Sequence, residues 1–77
     1  MAVFPSMKAG ALLAVLTRDP LNYEVVRQVG SHRRLASKGR PPLTFAFHPG
    51  VDLAPGLVRA VLVKGVGLSE AQALALL

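Results

Sequence analysis

The chain has 77 residues, no cysteine and a formal net charge of +5, from nine Lys/Arg against four Asp/Glu. That length fits one domain with a modest core and no room for a deep, walled pocket beside it. The lack of cysteine excludes a disulfide framework and a thiolate zinc site. No apolar run reaches the ~18 residues of a membrane span, and a domain this basic tends to meet a polyanion or an acidic protein.

The opening "MAVFPSMKAG" has no basic segment ahead of a long apolar one, so no secretory leader is expected. Residues 1–6 read as an extension before a single domain over 7–77, and a start at Met7 would lose nothing recognisable. Ser6 can cap a helix over "MKAGALLAVLTR", which carries Ala9, Leu12, Leu13 and Leu16 on one side. Pro20 in "DPLN" ends it. "YEVVRQV" (Tyr23–Val29) is rich in β-branched and aromatic residues and reads as a first strand. Gly30-Ser31 interrupts it as a turn or bulge. "HRRLAS" is a shorter second strand, "KGRPP" a basic hairpin loop with Gly39 at its tip, and "LTFAFH" a third strand with Leu43, Phe45 and Phe47 on one face.

"PGVDLAPG" reads as a loop. Pro55 suits the first turn of a second helix, with Leu57, Val58, Val61 and Leu62 inward and Arg59 outward. Gly65 and Gly67 end that helix. Ser69 and Gln72 have the spacing of a capping box and open a short third helix. The order is α-β-β-β-α-α. It predicts an α+β fold: three antiparallel strands, helices on one face, the other face left open, as in a double-stranded-RNA-binding domain.

Between Arg27 and Arg40 lie five basic residues, Arg27, Arg33, Arg34, Lys38 and Arg40, and no acidic one. The rest of the chain holds four of each sign, so the net charge comes from this hairpin region. Either the hairpin is a solvated basic surface, or it contacts phosphates and releases counterions on binding. His32 lies inside the run.

The two histidines are 16 positions apart, and four scattered carboxylates supply no obvious metal cluster or Ser-His-Asp set. Metal-free RNA cleavage needs less. The ribose 2′-OH is an internal nucleophile, so the protein must hold the phosphate, move protons and stabilise negative charge. An imidazole can give or take a proton near neutral pH, and arginines hold phosphate by paired hydrogen bonds. The plainer readings are that His32 is structural, that Ser31 bonds the turn backbone and that His48 closes a strand. Tyr23 and Phe45 could stack bases, though core packing is the commoner use of both.

"VRQVGSHRRL" resembles the Arg-Gln-x-Gly-Ser-His segment of HicA toxins, small ribonucleases of type II toxin–antitoxin systems. The likeness continues in register through "MKAGALLAVLTRD" and "FAFHPGVDLAPGLVRAVLVKGVGLSEAQ", covering about Met7 to Leu74. It implies a double-stranded-RNA-binding-like fold and mRNA cleavage by a cytoplasmic endonuclease with no required metal or cofactor. It also implies a toxin that is monomeric alone and forms a hetero-oligomer with a HicB-type antitoxin covering the active site. The family's catalytic histidine maps onto His32; the basic hairpin then reads as the RNA-binding set, Arg27, Arg33, Arg34, Lys38 and Arg40, with Gly30 and Ser31 as the turn that supports His32.

Two positions depart from the family. Asn22 stands where a glycine usually precedes the aromatic of the first strand, and asparagine tolerates the left-handed geometry such a turn needs. Leu57 replaces a threonine after Pro55-Gly56, which removes a hydroxyl from the start of the second helix. The rival functions are a non-catalytic RNA-binding module and a module that docks an acidic protein.

Overall fold

The structure, a computed structural model, describes residues 3–77; Met1 and Ala2, part of the expected extension, lie outside the described residues. The elements are β1 (Met7–Lys8), α1 (Ala9–Thr17), β2 (Glu24–Val29), β3 (His32–Ala36), β4 (Leu43–Phe45), β5 (Asp52–Leu53), α2 (Pro55–Arg59) and α3 (Glu70–Ala75). Between α2 and α3 the helical path widens over Ala60–Gly65, where Val66 N–H reaches back five residues to Val61 O. The main sheet has the order β2-β3-β4, all antiparallel, and β1 pairs separately with β5. The fold is α+β with a three-stranded antiparallel sheet and three helices, as the hydrophobic pattern predicts.

The helices cover one face of that sheet. Ala9, Leu12, Val15 and Leu16 of α1 and Val58 of α2 form one buried cluster with Leu35, Leu43 and Phe45 of the sheet. β2 is one of the two outer strands, and every one of its residues is exposed, Val25, Val26 and Val29 among them. Its charges and an irregular register are the usual means of discouraging edge-to-edge pairing.

The start of α1 differs from the sequence reading. Ser6 does not cap it, because Met7 and Lys8 are spent on the ladder with Leu53 and Asp52. The helix begins at Ala9, and its free N–H groups are satisfied by loop carbonyls instead: Ala9 donates to Val51 O at 2.8 Å and Gly10 to Pro49 O at 3.0 Å. The approach is close enough that a Cβ on Gly10 would sit 3.3 Å from Pro49, which explains a glycine inside a helix. The segment read as a plain loop, 49–56, therefore carries a strand and caps a helix.

Other local signals hold. Asn22 takes φ 52, the left-handed geometry expected of it. Pro55 opens α2. Ser69 Oγ accepts from Gln72 N–H at 3.1 Å while Gln72 Oε1 accepts from Ser69 N–H at 2.9 Å, the full capping box. Leu57, read as inward, is exposed, whereas Val58 and Leu62 are fully buried. The extension is more than a leader: Phe4 is 5% exposed and belongs to the core cluster.

Removing that ring exposes its neighbours and leaves a void. Phe4→Ala is expected to cost roughly 3 kcal/mol, the lower part of the Phe→Ala range for cores. Urea denaturation should show a lower midpoint at unchanged slope. A midpoint equal to wild type would show that Phe4 is dispensable.

Candidate active site

Strand alternation and register assign the side chains to faces. Leu35 is buried against the helices, so Arg33 points to that same side and His32 and Arg34 to the open side. Across the ladder Val25 opposes Leu35; then the register steps, and Arg27 opposes Arg34, Gln28 opposes Arg33 and Val29 opposes His32. Val26 is the extra residue of a β-bulge. Unbroken alternation from Val25 would turn Arg27 toward the helices and Gln28 to the open face. The bulge reverses this and places Arg27 beside Arg34 and His32.

Between β2 and β3 the chain turns in two residues. Gly30 takes φ 60, and Ser31 follows without a positive φ, the glycine-first pattern of a type II′ hairpin. Gln28 Nε2 donates to Gly30 O at 3.1 Å and braces the turn. From β4, Thr44 opposes Arg34, and its hydroxyl accepts from Arg34 Nη1 at 3.0 Å.

The product is an open depression of about 260 Å³ lined by Arg27, Val29, His32, Arg33, Arg34 and Thr44. No carboxylate lines it. His32 is exposed. Two guanidinium forks beside an imidazole, with no counter-charge, can hold an oxyanion while the ring exchanges a proton with it.

The basic run predicted as one RNA-binding surface divides into separate places. Arg27, Arg34 and His32 meet on the open face. Arg33 borders the same depression, but its strand parity turns it toward the helix side, where it is half-buried and donates through Nη1 to Phe47 O at 3.3 Å. Its parity in the strand decides this, and it acts as a strap between β3 and the chain leaving β4. Lys38 and Arg40 lie at the far end of the hairpin, in a second depression of about 580 Å³ shared with Asn22, Glu24 and Ser37. Thr44 and Val29 also line the first depression, which the sequence pattern does not predict. Thr44 is legible as an outward residue between Leu43 and Phe45, but its partnership with Arg34 requires the register.

Tyr23 and Phe45 are core residues, 1% and 2% exposed, so neither ring offers a face to a base. Tyr23 is also far from His32. It precedes β2 at the end opposite the turn, roughly 20 Å away at ~3.3 Å per residue. Its hydroxyl donates to Pro41 O at 2.7 Å. His48 is exposed and follows β4, whose C-terminal end lies beside the N-terminal end of β3, so both histidines are at one end of the sheet. Among the described residues, no three His, Asp or Glu side chains gather closely enough to hold a metal ion, and no helix is long and apolar enough to cross a membrane.

The family model described as "HicA toxin of bacterial toxin-antitoxin" matches residues 11–68, most of the chain. The matched stretch contains the whole main sheet, both depressions and the loop that caps α1. It leaves out Phe4 and β1. No curated protein and no solved structure matches the chain.

Burial pushes the Tyr23 phenol up, and the nearby Arg40 guanidinium offsets part of that. The fold thus favours the neutral phenol. That contribution to stability is complete below the unfolded value near ~10 and is lost as pH rises through the folded value. The chain has one tyrosine and no tryptophan, so absorbance at phenolate wavelengths reports Tyr23 alone. Its titration midpoint is expected above ~10 in the native protein and near ~10 in urea. An identical midpoint in both would contradict the burial of this hydroxyl.

Proposed function

Because the chain belongs to the HicA toxin family of bacterial toxin–antitoxin systems, we propose that it is an endoribonuclease that cleaves mRNA on the open face of the β2–β3 hairpin. The family carries the general role of an RNA-cleaving toxin with an antitoxin partner. The finer reading rests on one observation: the Val26 bulge brings Arg27 onto the face of His32 and Arg34, in a depression free of carboxylates.

In this reading Arg27 and Arg34 grip the scissile phosphate and stabilise the charge that builds on it. The 2′-oxygen attacks phosphorus, the bond to the 5′-oxygen breaks, a proton leaves the 2′-OH and one is delivered to the departing oxygen. His32 is the general acid/base for one transfer. His48, which the topology brings to the same end of the sheet, is the group available for the other. Gly30 and Ser31 hold the turn that presents His32. No metal or cofactor is required, because the nucleophile is internal to the RNA. A HicB-type antitoxin covers this face, so the monomeric toxin becomes inactive in a hetero-oligomer. With mRNA as its substrate, the protein works in the cytoplasm.

The open face alone could also bind RNA without cutting it, and one assay separates the two. Purified wild-type protein and His32→Ala are incubated with a long mRNA in excess EDTA. Wild type is expected to cleave. The variant should lose about 10²–10⁴-fold in rate, with an unchanged circular dichroism spectrum. Equal cleavage by the variant would remove His32 from the mechanism. RNA binding with no products from either protein would leave the binding module as the correct reading.

A further inference from the structure

The second depression is larger than the first and sits next to it along the same strands. β3 runs from His32 in the first to Ala36 at the margin of the second, four residues or about 13 Å. The two are steps of one track along the open side of β2 and β3, with the bulge residue Val26 bordering the second. Single-stranded nucleic acid rises ~3.4 Å per stacked nucleotide, so the second depression lies within about four nucleotides of a phosphate held at His32.

Its chemistry differs from that of the first. Lys38 and Arg40 supply two cations, but Glu24 adds a carboxylate, opposite Ala36 in the ladder. Among the described residues Glu24 makes no ion pair; the pairs present are Lys8 with Asp52 and Arg59 with Glu70. A carboxylate in a groove for a polyanion repels phosphate. It is favourable there only if it meets hydrogen-bond donors, and a carboxylate is acceptor-only with two oxygens side by side. On the Watson–Crick edge of an RNA base, two adjacent donors, N1–H and the exocyclic N2–H, belong to guanine. No aromatic residue lines the depression, so a base held there is read by its edge rather than by stacking. Ser37 is already committed, its hydroxyl donating to Leu21 O.

We propose that the depression lined by Asn22, Glu24, Lys38 and Arg40 is a nucleotide subsite that selects where the RNA is cut: Lys38 and Arg40 hold a backbone phosphate, and Glu24 accepts from the Watson–Crick edge of a guanine within about four nucleotides of the scissile bond. This deepens the ribonuclease reading and rests on it.

The test uses the full chain and its Glu24→Gln and Lys38→Ala/Arg40→Ala variants, with cut sites on a long RNA mapped by sequencing. Wild type should show guanine enriched at one fixed position near the cut, and Glu24→Gln should reduce that enrichment about tenfold. Lys38→Ala/Arg40→Ala should raise KM by about tenfold, more than it lowers kcat, and flatten the salt dependence by ~0.7 for each phosphate no longer neutralised. Wild-type cleavage with the same cut sites and KM in all three proteins would overturn the subsite and leave the ribonuclease reading standing. If the wild type cuts nothing, that reading fails. Binding of guanine-containing and guanine-free hexanucleotides to the same proteins then decides the subsite alone. A guanine preference abolished in Glu24→Gln supports it, and equal affinities overturn it. Variants that bind and cut RNA normally but escape antitoxin inhibition would assign the depression to the antitoxin and overturn the proposal.

Discussion

The site depends on the parity of one strand. A β-strand places successive side chains on opposite faces, so a single extra residue exchanges inside for outside for everything beyond it. Val26 is that residue. Before it, Val25 faces the same side as the buried Leu35; after it, Arg27 and Val29 face outward with Arg34 and His32. Without the bulge Arg27 would turn away from His32 and Arg34, to the other face of the sheet. The irregularity also twists the β2 edge of the sheet, so one feature sets the site and discourages strand addition at that edge.

The turn that closes the hairpin works with this parity. Two residues between paired Val29 and His32 leave no slack, so the register set at the bulge is transmitted to the histidine. On the other side of the sheet, the chain leaving β4 is fixed at several points. Arg33 bonds Phe47 O, Ala9 and Gly10 bond Val51 O and Pro49 O, and Lys8 reaches both Gly50 O and Asp52. The His48–Val51 segment is therefore tied to β3, to the start of α1 and to β1. Loop backbone caps the helix, and the helix holds the loop at the end of the sheet where His32 lies. The ion pairs here are exposed and contribute little by themselves; the backbone bonds and the buried cluster do the positioning.

Much of this is legible in the sequence because its signals are local. Element order, the Pro55 start of α2, the Ser69–Gln72 box, the left-handed Asn22 and the Gly30-Ser31 turn each depend on a few adjacent residues. The rest depends on pairing across the chain. The bulge at Val26 leaves no mark in "YEVVRQV", where every position suits a strand. Arg33 and Arg34 border one depression but have opposite parity in β3, so the run of basic residues does not reveal that Arg33 is also spent on Phe47 O. Ser6 reads as a cap because the competing partner, strand β5, lies more than forty residues away. Phe4 reads as dispensable because one aromatic in a short segment has no periodicity to reveal a buried face. Leu57 reads as inward because helical spacing allows it, yet α2 turns Val58 to the core instead.

The charge that composition assigns to one hairpin thus has two local forms. Beside His32 it is purely positive, which suits the stabilisation of charge on a phosphate in a site too open to exclude water. Farther along β3 it is mixed, Lys38 and Arg40 with Glu24, which suits a group carrying both an anion and hydrogen-bond donors. A nucleotide is such a group, with phosphate and base edge at its two ends. Under the proposed function, a small domain that cannot wall off a pocket gains selectivity by length, distributing contacts along an extended strand of RNA. For an antitoxin that covers the proposed site, neutralising Arg27 and Arg34 would remove the grip on phosphate, and competing with RNA along the whole proposed track would also require donors that answer Glu24.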